Sequence, residues 1–210
     1  MSTVIAVDGP AAAGKGTLAR RLAAHFGLPY LDTGLLYRAV GRRVLDAAGD
    51  PADPATAEAA ARALSPEDLE RDDLRGPAAD QAASAVAIIP GVRAALLEFQ
   101  RAFGRQRGAV LDGRDIGTVV FPDATAKLFV TASAEVRGRR RWLELQARGV
   151  AAELAQVTEQ VRVRDAQDAG RAMAPLVAAE DAKLLDTTGL DAEAAFHRAL
   201  ALLADKLRRS

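Results

Sequence analysis

Apolar residues come along this chain in short unbroken runs, separated by longer stretches of helical period. The runs are Thr3–Asp8, Pro29–Asp32, Ala109–Asp112, Lys127–Thr131 and Lys183–Asp186. None alternates cleanly between apolar and polar, which is the pattern of strands covered on both faces in a parallel sheet. Between them, Gly16–Phe26 repeats Leu18, Leu22 and Phe26, Leu35–Ala48 repeats Leu36, Val40 and Val44, and Val92–Phe103 repeats Leu96, Leu97 and Phe103. These spacings place each set on one helical face. Asp191–Leu207 is amphipathic and predicts a closing helix. Alternating strands and helices predict an α/β fold with helices on both faces of the sheet.

Two regions break this rhythm. Gly49–Ile89 is alanine-rich and acidic, is interrupted by Pro51, Pro54, Pro66 and Pro77, and reads as short helices inserted between the second and third strands. Glu135–Leu176 is dense in arginine and reads as two helical halves around Arg148–Gly149.

Composition narrows the classes. The 210 residues suffice for one domain with a full core. Lys and Arg together number 28, as do Asp and Glu, and the resulting zero net charge argues against a nucleic-acid or membrane coat. The absence of cysteine excludes a disulfide framework and thiolate metal sites. No apolar run approaches the roughly 18 residues of a membrane span. The first ten residues carry no basic leader region, so a cytoplasmic protein is expected. Arginine outnumbers lysine 24 to four. Codon bias explains such an excess, as it would the abundant alanine; a set of planar, bidentate anion ligands is the other explanation.

The strongest chemical signal is Gly9-Pro10-Ala11-Ala12-Ala13-Gly14-Lys15-Gly16-Thr17. It fits the G-x4-G-K phosphate loop, with an apolar strand before it and a helix after it. The glycines let backbone N–H groups turn inward as an anion nest, the helix N-terminus adds partial positive charge, and Lys15 supplies a mobile cation. Gly16 stands where the strict motif has Ser or Thr, which points to Mg²⁺ held through ATP phosphates and water. No metal site built from protein alone is expected.

Two later segments follow predicted strands, where ligands of open α/β sheets bind. In Leu31–Arg38, Asp32 or Thr33 can cap the next helix, and Arg38 lies about one turn into it. Val110–Asp123 places Asp112, Arg114 and Asp115 at a buried strand end, where charges need partners. A phosphate, a base or Mg²⁺ would serve, as would an internal Arg–Asp pair. His25 and His197, the only histidines, fall outside every motif and read as surface helix residues, while Trp142 and Met173 read as locally packed.

The segments LDTGLLYR, SAVAIIPGVRAAL (Ser84–Leu96), VLDGRDIGTVVFPDA and RDAQDAGRAMAPL (Arg164–Leu176) together resemble bacterial cytidylate kinases, in the right order over nearly the whole chain. The resemblance implies a single P-loop kinase domain with a parallel sheet ordered 2-3-1-4-5. Its core would lie in 1–48, 105–133 and 177–210, with an acceptor-binding insertion at 49–104 and a lid at 134–176. It implies transfer of the γ-phosphoryl group of ATP to CMP and dCMP by a monomer, with no nucleic-acid polymer or membrane as partner.

The same resemblance implies roles for residues. Gly9 to Thr17 would hold ATP, and Lys15, Arg38, Arg114 and Arg171 would be the catalytic cations. Thr33 would help seat the acceptor nucleotide, and Arg38, Arg114 and Arg171 would clamp its α-phosphate. Ser84, Arg93 and Asp115 would read cytosine, while Arg164 and Asp168 would contact the sugar. A carboxylate suits the cytosine amine, and uracil would leave it unpaired. Because the acceptor is already an anion, transfer needs positioned cations more than a general base. Arg164 and Arg171, seven apart, would share one helical face with Asp168 between them. Arg137, Arg139, Arg140, Arg141 and Arg148 read as a lid that excludes water, or as a solvated basic face.

The chain departs from many bacterial members in its insertion. Gly49–Ala83 has no alternating β-branched run, and Ser65–Leu69 reads as helical. Two other readings of the sequence stand beside this one. Another P-loop kinase would act on UMP, AMP or a metabolite such as shikimate. A nucleotide-dependent switch without turnover would have no use for a second set of phosphate-clamping arginines.

Overall fold

The computed structural model describes residues 2–207; Met1 and residues 208–210, the outer ends of the expected 1–48 and 177–210 segments, lie outside the described residues. Five strands form one sheet: β1 (Val4–Asp8), β2 (Tyr30–Asp32), β3 (Ala109–Gly113), β4 (Ala126–Thr131) and β5 (Lys183–Asp186). Their order is β2-β3-β1-β4-β5, as expected, and the β3–β1, β1–β4 and β4–β5 pairs are parallel. Every residue of β1 and β3 is buried, which is why their sequences show no alternation. The last strand departs from that expectation. On the sheet edge, Lys183, Leu184 and Asp186 of β5 are exposed and only Leu185 is buried.

Eight helices complete the described chain: α1 (Lys15–Phe26), α2 (Thr33–Asp46), α3 (Pro54–Arg62), α4 (Pro77–Val86), α5 (Pro90–Arg107), α6 (Ala134–Ala147), α7 (Leu154–Ala169) and α8 (Ala192–Leu207). The chain divides into two compact units, Met1–Leu31 with Gly104–Ser210, and Asp32–Phe103. No single helix among the described residues is long and apolar enough to cross a membrane.

In the first unit, α1 and α8 cover the sheet through Leu18, Leu22, Phe196 and Leu203, which pack with Ile5, Val7, Leu128 and Val130. Burial of each such side chain contributes about 1.5–3 kcal/mol. Helices α6 and α7 form a hairpin. Arg137 of α6 pairs with Asp165 of α7, and Trp142 donates its indole N–H to the Ala152 carbonyl (2.9 Å).

Apart from Asp32, which ends β2, the regular elements of the Asp32–Phe103 unit are all helices or 3-10 turns among its described residues. Its centre is the contact of α2 with α4, where a Cβ on Gly41 would lie 2.7 Å from that of Ala82. Pro66–Leu69 and Asp72–Leu74 are 3-10 turns. The Asp68 carboxylate caps the first turn by accepting from Ser65 N (2.9 Å), and it also receives Arg43 (2.8 Å). Ser65–Leu69 is therefore helical, as its composition predicts.

Candidate active site

The phosphate loop grows out of the buried end of β1. Gly9 has φ 145°, and a Cβ there would overlap the Val130 carbonyl, so only glycine lets the chain leave the sheet at this point. Three carbonyls of the loop are held by side chains: Pro10 by Lys15 Nζ (3.0 Å), Ala11 by Arg137 Nη1 (3.3 Å) and Ala13 by Thr187 Oγ1 (3.0 Å). Ala12 (φ 58°) and Gly14 (φ 87°) are left-handed, and such alternation turns successive N–H groups toward one side. Helix α1 starts at Lys15 and directs its N-terminus at the same place. These features fit a nucleotide polyphosphate. Gly16 lies beside Asp112 Oδ2, which also accepts from the Tyr30 hydroxyl (2.6 Å), while Thr17 is exposed in the first turn of α1.

Asp8 is a functional candidate that the sequence analysis did not single out. The β1–β3 register sets Asp8 level with Gly113, so its carboxylate reaches the turn beyond β3. Oδ1 accepts from Ile116 N (2.8 Å) and Oδ2 from Gly117 N (2.7 Å). Burial pushes the Asp8 carboxyl up to about 6, with Asp115 acting the same way; the two N–H donors and Lys15 pull against it. Ile116–Val120 forms a single π-helical turn, and Asp115 immediately before it is buried, 6% exposed.

Arg114 and Arg171 meet at one carboxylate. Arg114 donates Nε to Asp168 Oδ2 (2.8 Å) and Nη1 to the Gly113 carbonyl (3.2 Å). Arg171 donates Nη2 to Asp168 Oδ1. The Nε of Arg171 is buried without a hydrogen-bond partner. Burial opposes ionisation of Asp168, but the charges of Arg114, Arg171 and Arg164 outweigh it and hold the carboxyl below the usual range. Here the helical expectation needs correction. Helix α7 ends at Ala169 with Gly170 as its cap, so Arg171 lies past the helix and shares no continuous face with Arg164. The helix stops there with Gly170 at φ −82°, and Arg171 reaches Asp168 from the turn that follows.

Four arginines of residues 137–148, namely Arg137, Arg140, Arg141 and Arg148, are engaged with other protein groups. Arg137 is buried; it donates Nε to the Ala132 carbonyl (2.8 Å) and Nη1 to Asp165 (2.9 Å). Arg140 donates to Thr187 Oγ1 (3.0 Å) and to the Thr187 and Leu190 carbonyls (2.8 and 3.3 Å). Arg141 and Arg148 both pair with Glu144, and Arg139 is exposed. His25 and His197 are exposed on helices. Met173, expected to pack locally, is 54% exposed.

The remaining expected site residues, Thr33, Arg38, Ser84 and Arg93, belong to the Asp32–Phe103 unit. Asp32 is the residue that caps α2, accepting from Leu35 N (3.2 Å), and Thr33, the first helical residue, is buried. Arg38 donates Nε to Asp80 Oδ1 (3.0 Å) and lies 3.8 Å from Asp32. Ser84 Oγ donates to the Asp80 carbonyl (3.0 Å). Asp80 thus ties two expected site residues together, though no sequence motif marks it. Arg93 donates to the Ala87 carbonyl (3.3 Å) and stands over the Tyr37 ring, 5.8 Å from its centroid. Among the described residues, no three His, Asp or Glu side chains converge as a ready cation site.

Comparison with known proteins gives the family. Residues 5–204 match the family model described as Cytidylate kinase. A cytidylate kinase of Granulibacter bethesdensis is 64% identical over 209 residues, 100% of each chain. One of Acidiphilium cryptum is 64% identical over 206 residues, covering 98% of this chain and 97% of the relative. Among solved structures, an uncharacterized protein from Eubacterium ventriosum aligns with a TM-score of 0.57 at 12% identity, over 97% of this chain and 99% of that one. A gluconokinase from Sinorhizobium meliloti aligns with a TM-score of 0.53 at 13% identity, over 99% and 94%. At such identities the likeness is one of fold.

Proposed function

The chain belongs to the cytidylate kinase family and phosphorylates CMP with ATP as donor; from this premise we propose how its residues divide the work. Gly9 to Thr17 hold the ATP phosphates, with Lys15 on the phosphoryl group that moves. Arg114, Arg171 and Arg38 bind the α-phosphate of the acceptor, and Thr33 helps seat it. Asp115, Ser84 and Arg93 read cytosine, and Arg164 serves the sugar. Asp168 serves the sugar with it, while each of its carboxylate oxygens also receives an arginine. dCMP is a second acceptor, the insertion at 49–104 serves acceptor binding, and residues 134–176 act as a lid. The working form is a cytoplasmic monomer.

In the reaction, an oxygen of the CMP phosphate bonds to the γ-phosphorus as the bond to the β–γ bridging oxygen breaks. The nucleophile is already anionic, so the chain needs to hold two polyanions in line and neutralise charge on the equatorial oxygens. Mg²⁺ would enter with ATP, held through its phosphates and water, with Asp112 and Thr17 as this chain's nearby oxygen donors. It would neutralise charge on the polyphosphate.

The observation that carries this reading is the second cationic cluster, Arg114 with Arg171, gathered beside the end of β3 and away from the phosphate-loop lysine. A nucleotide switch needs only the phosphate loop. Steady-state assays with CMP, dCMP, UMP and AMP test it, together with Arg114→Ala. Removal of one such charged donor should lower kcat/KM for CMP by about 10²–10³. An unchanged value would overturn the clamp assignment, and no preference for CMP or dCMP would overturn the base-reading one.

A further inference from the structure

We propose that Asp8 is a positioning residue for the recognition of cytosine: its carboxylate fixes the turn that begins at Asp115, and so sets the preference for CMP over UMP. The inference rests on the reading of Asp115 as the carboxylate that meets the cytosine amine.

Three observations support it. First, Asp8 holds the backbone directly after Asp115. Its two oxygens accept from Ile116 N (2.8 Å) and Gly117 N (2.7 Å), the first two N–H groups beyond that residue. The Asp115 carbonyl is taken as well, by Val119 N (2.9 Å) and Val120 N (3.2 Å) of the π turn. A side chain that recognises a base by hydrogen bonds has to be held to within about 0.5 Å. Asp8 supplies that restraint from β1, the central strand of the sheet.

Second, the task needs a carboxylate. Two successive N–H groups converge on one planar side chain, and asparagine would turn a donor toward one of them. The carboxylate is present although burial and the Asp115 charge both oppose its ionisation, a cost that a residue serving packing alone would avoid. Third, nothing stands between the turn and Asp8. Residue 117 is glycine, and a Cβ there would lie 3.3 Å from Asp8 Oδ2 and 3.1 Å from Lys127 Cδ. A side chain at that position would press the turn away from the carboxylate.

Thr187 supplies an internal control. It braces the same phosphate loop at the Ala13 carbonyl (3.0 Å), and its other side-chain bonds go to Thr131 and Arg140 instead of to the π turn. Its loss would disturb the phosphate loop without removing a partner of Ile116 or Gly117.

The test uses the full-length enzyme with Asp8→Asn, Thr187→Val, Asp115→Ala and the Asp8→Asn/Asp115→Ala double variant. kcat/KM is measured for CMP and for UMP at saturating ATP, and KM for ATP at saturating CMP. Asp8→Asn should lower the CMP/UMP ratio of kcat/KM about tenfold, with KM for ATP moving less than about twofold. Thr187→Val should do the reverse, raising KM for ATP and leaving the ratio in place. In the double variant the ratio should be no lower than in Asp115→Ala, because Asp8 acts through Asp115. A ratio that survives Asp8→Asn but not Asp115→Ala would overturn the proposal. So would losses that simply multiply in the double variant, or an equal loss of ratio in Thr187→Val. An Asp115→Ala enzyme with the wild-type ratio would instead sink the base-reading assignment itself. If Asp8→Asn does not fold, Gly117→Ala disturbs the same contact from the turn. It must lower the ratio while KM for ATP holds, and an unchanged ratio there would overturn the proposal.

Discussion

The end of β1 and the last turn of α7 each bury an aspartate, 5% exposed for Asp8 and 2% for Asp168, and hold it by opposite means. Asp8 rests on two backbone N–H groups, with Asp115 nearby, and burial wins; its carboxyl is pushed up to about 6. Asp168 rests on two guanidiniums, and their charges outweigh burial. Depth therefore does not decide the state of a carboxylate in this fold; the choice between a dipole and a full cation as partner does. The two choices also suit two tasks. Backbone donors hold chain to chain, whereas arginines held by a carboxylate can still meet a phosphate.

The opposition has a signature in stability against pH. Asp168 has a folded pKa below its unfolded one, so its contribution is present above the unfolded value of 3.8 and fades as pH falls through the folded value. For Asp8 the folded pKa is raised, so its contribution is full below 3.8 and is lost as pH rises through about 6.

The contrast breaks most visibly at Asp168. Replacement by alanine leaves two mostly buried arginines facing each other, and should cost about 3 kcal/mol in urea unfolding at neutral pH. A loss no larger than that of an ordinary surface substitution would mean that the pair is not held by this carboxylate. Asp8→Asn should cost less, about 1–2 kcal/mol, because one of two backbone donors keeps an acceptor. Its sharper signature is the slope. Between pH 4 and 6 the wild-type protein should lose stability relative to Asp8→Asn, by at most about 1.4 kcal/mol per pH unit. Parallel curves over that range would remove the proposed difference between the two sites. Smallest of all is Arg162→Ala, which breaks exposed pairs with Glu135 and Glu159. It should leave the melting temperature unmoved, since solvent screens such pairs.

How far these features could be read from sequence depends on how local they are. The strands were legible because coverage on both faces leaves an unbroken apolar run, and the phosphate loop because its glycines and lysine lie within nine residues. Asp8 was not legible, since its partners Ile116 and Gly117 lie more than a hundred residues away and only the β1–β3 register joins them. Asp80 stayed hidden for a similar reason, its link to Arg38 spanning 42 residues across two packed helices. Among the clustered arginines of α6, composition alone could not tell that Arg137 turns inward to Asp165 and the Ala11 carbonyl while Arg139 faces solvent. The order of the sheet came from family resemblance, because no local pattern encodes which strands become neighbours. Arg171 shows the converse limit, since a seven-residue spacing reads as a shared face only if the helix runs on past Ala169.

Asp8 also has a mechanical meaning. It stands one residue before the first glycine of the phosphate loop, and it grips the backbone one and two residues after Asp115. Two bonds from one planar group restrain twist as well as separation, so the joint behaves as a rivet and not as a pivot. Whatever bends during a turnover cycle, the root of the phosphate loop and the start of the π turn are built to travel as one rigid piece.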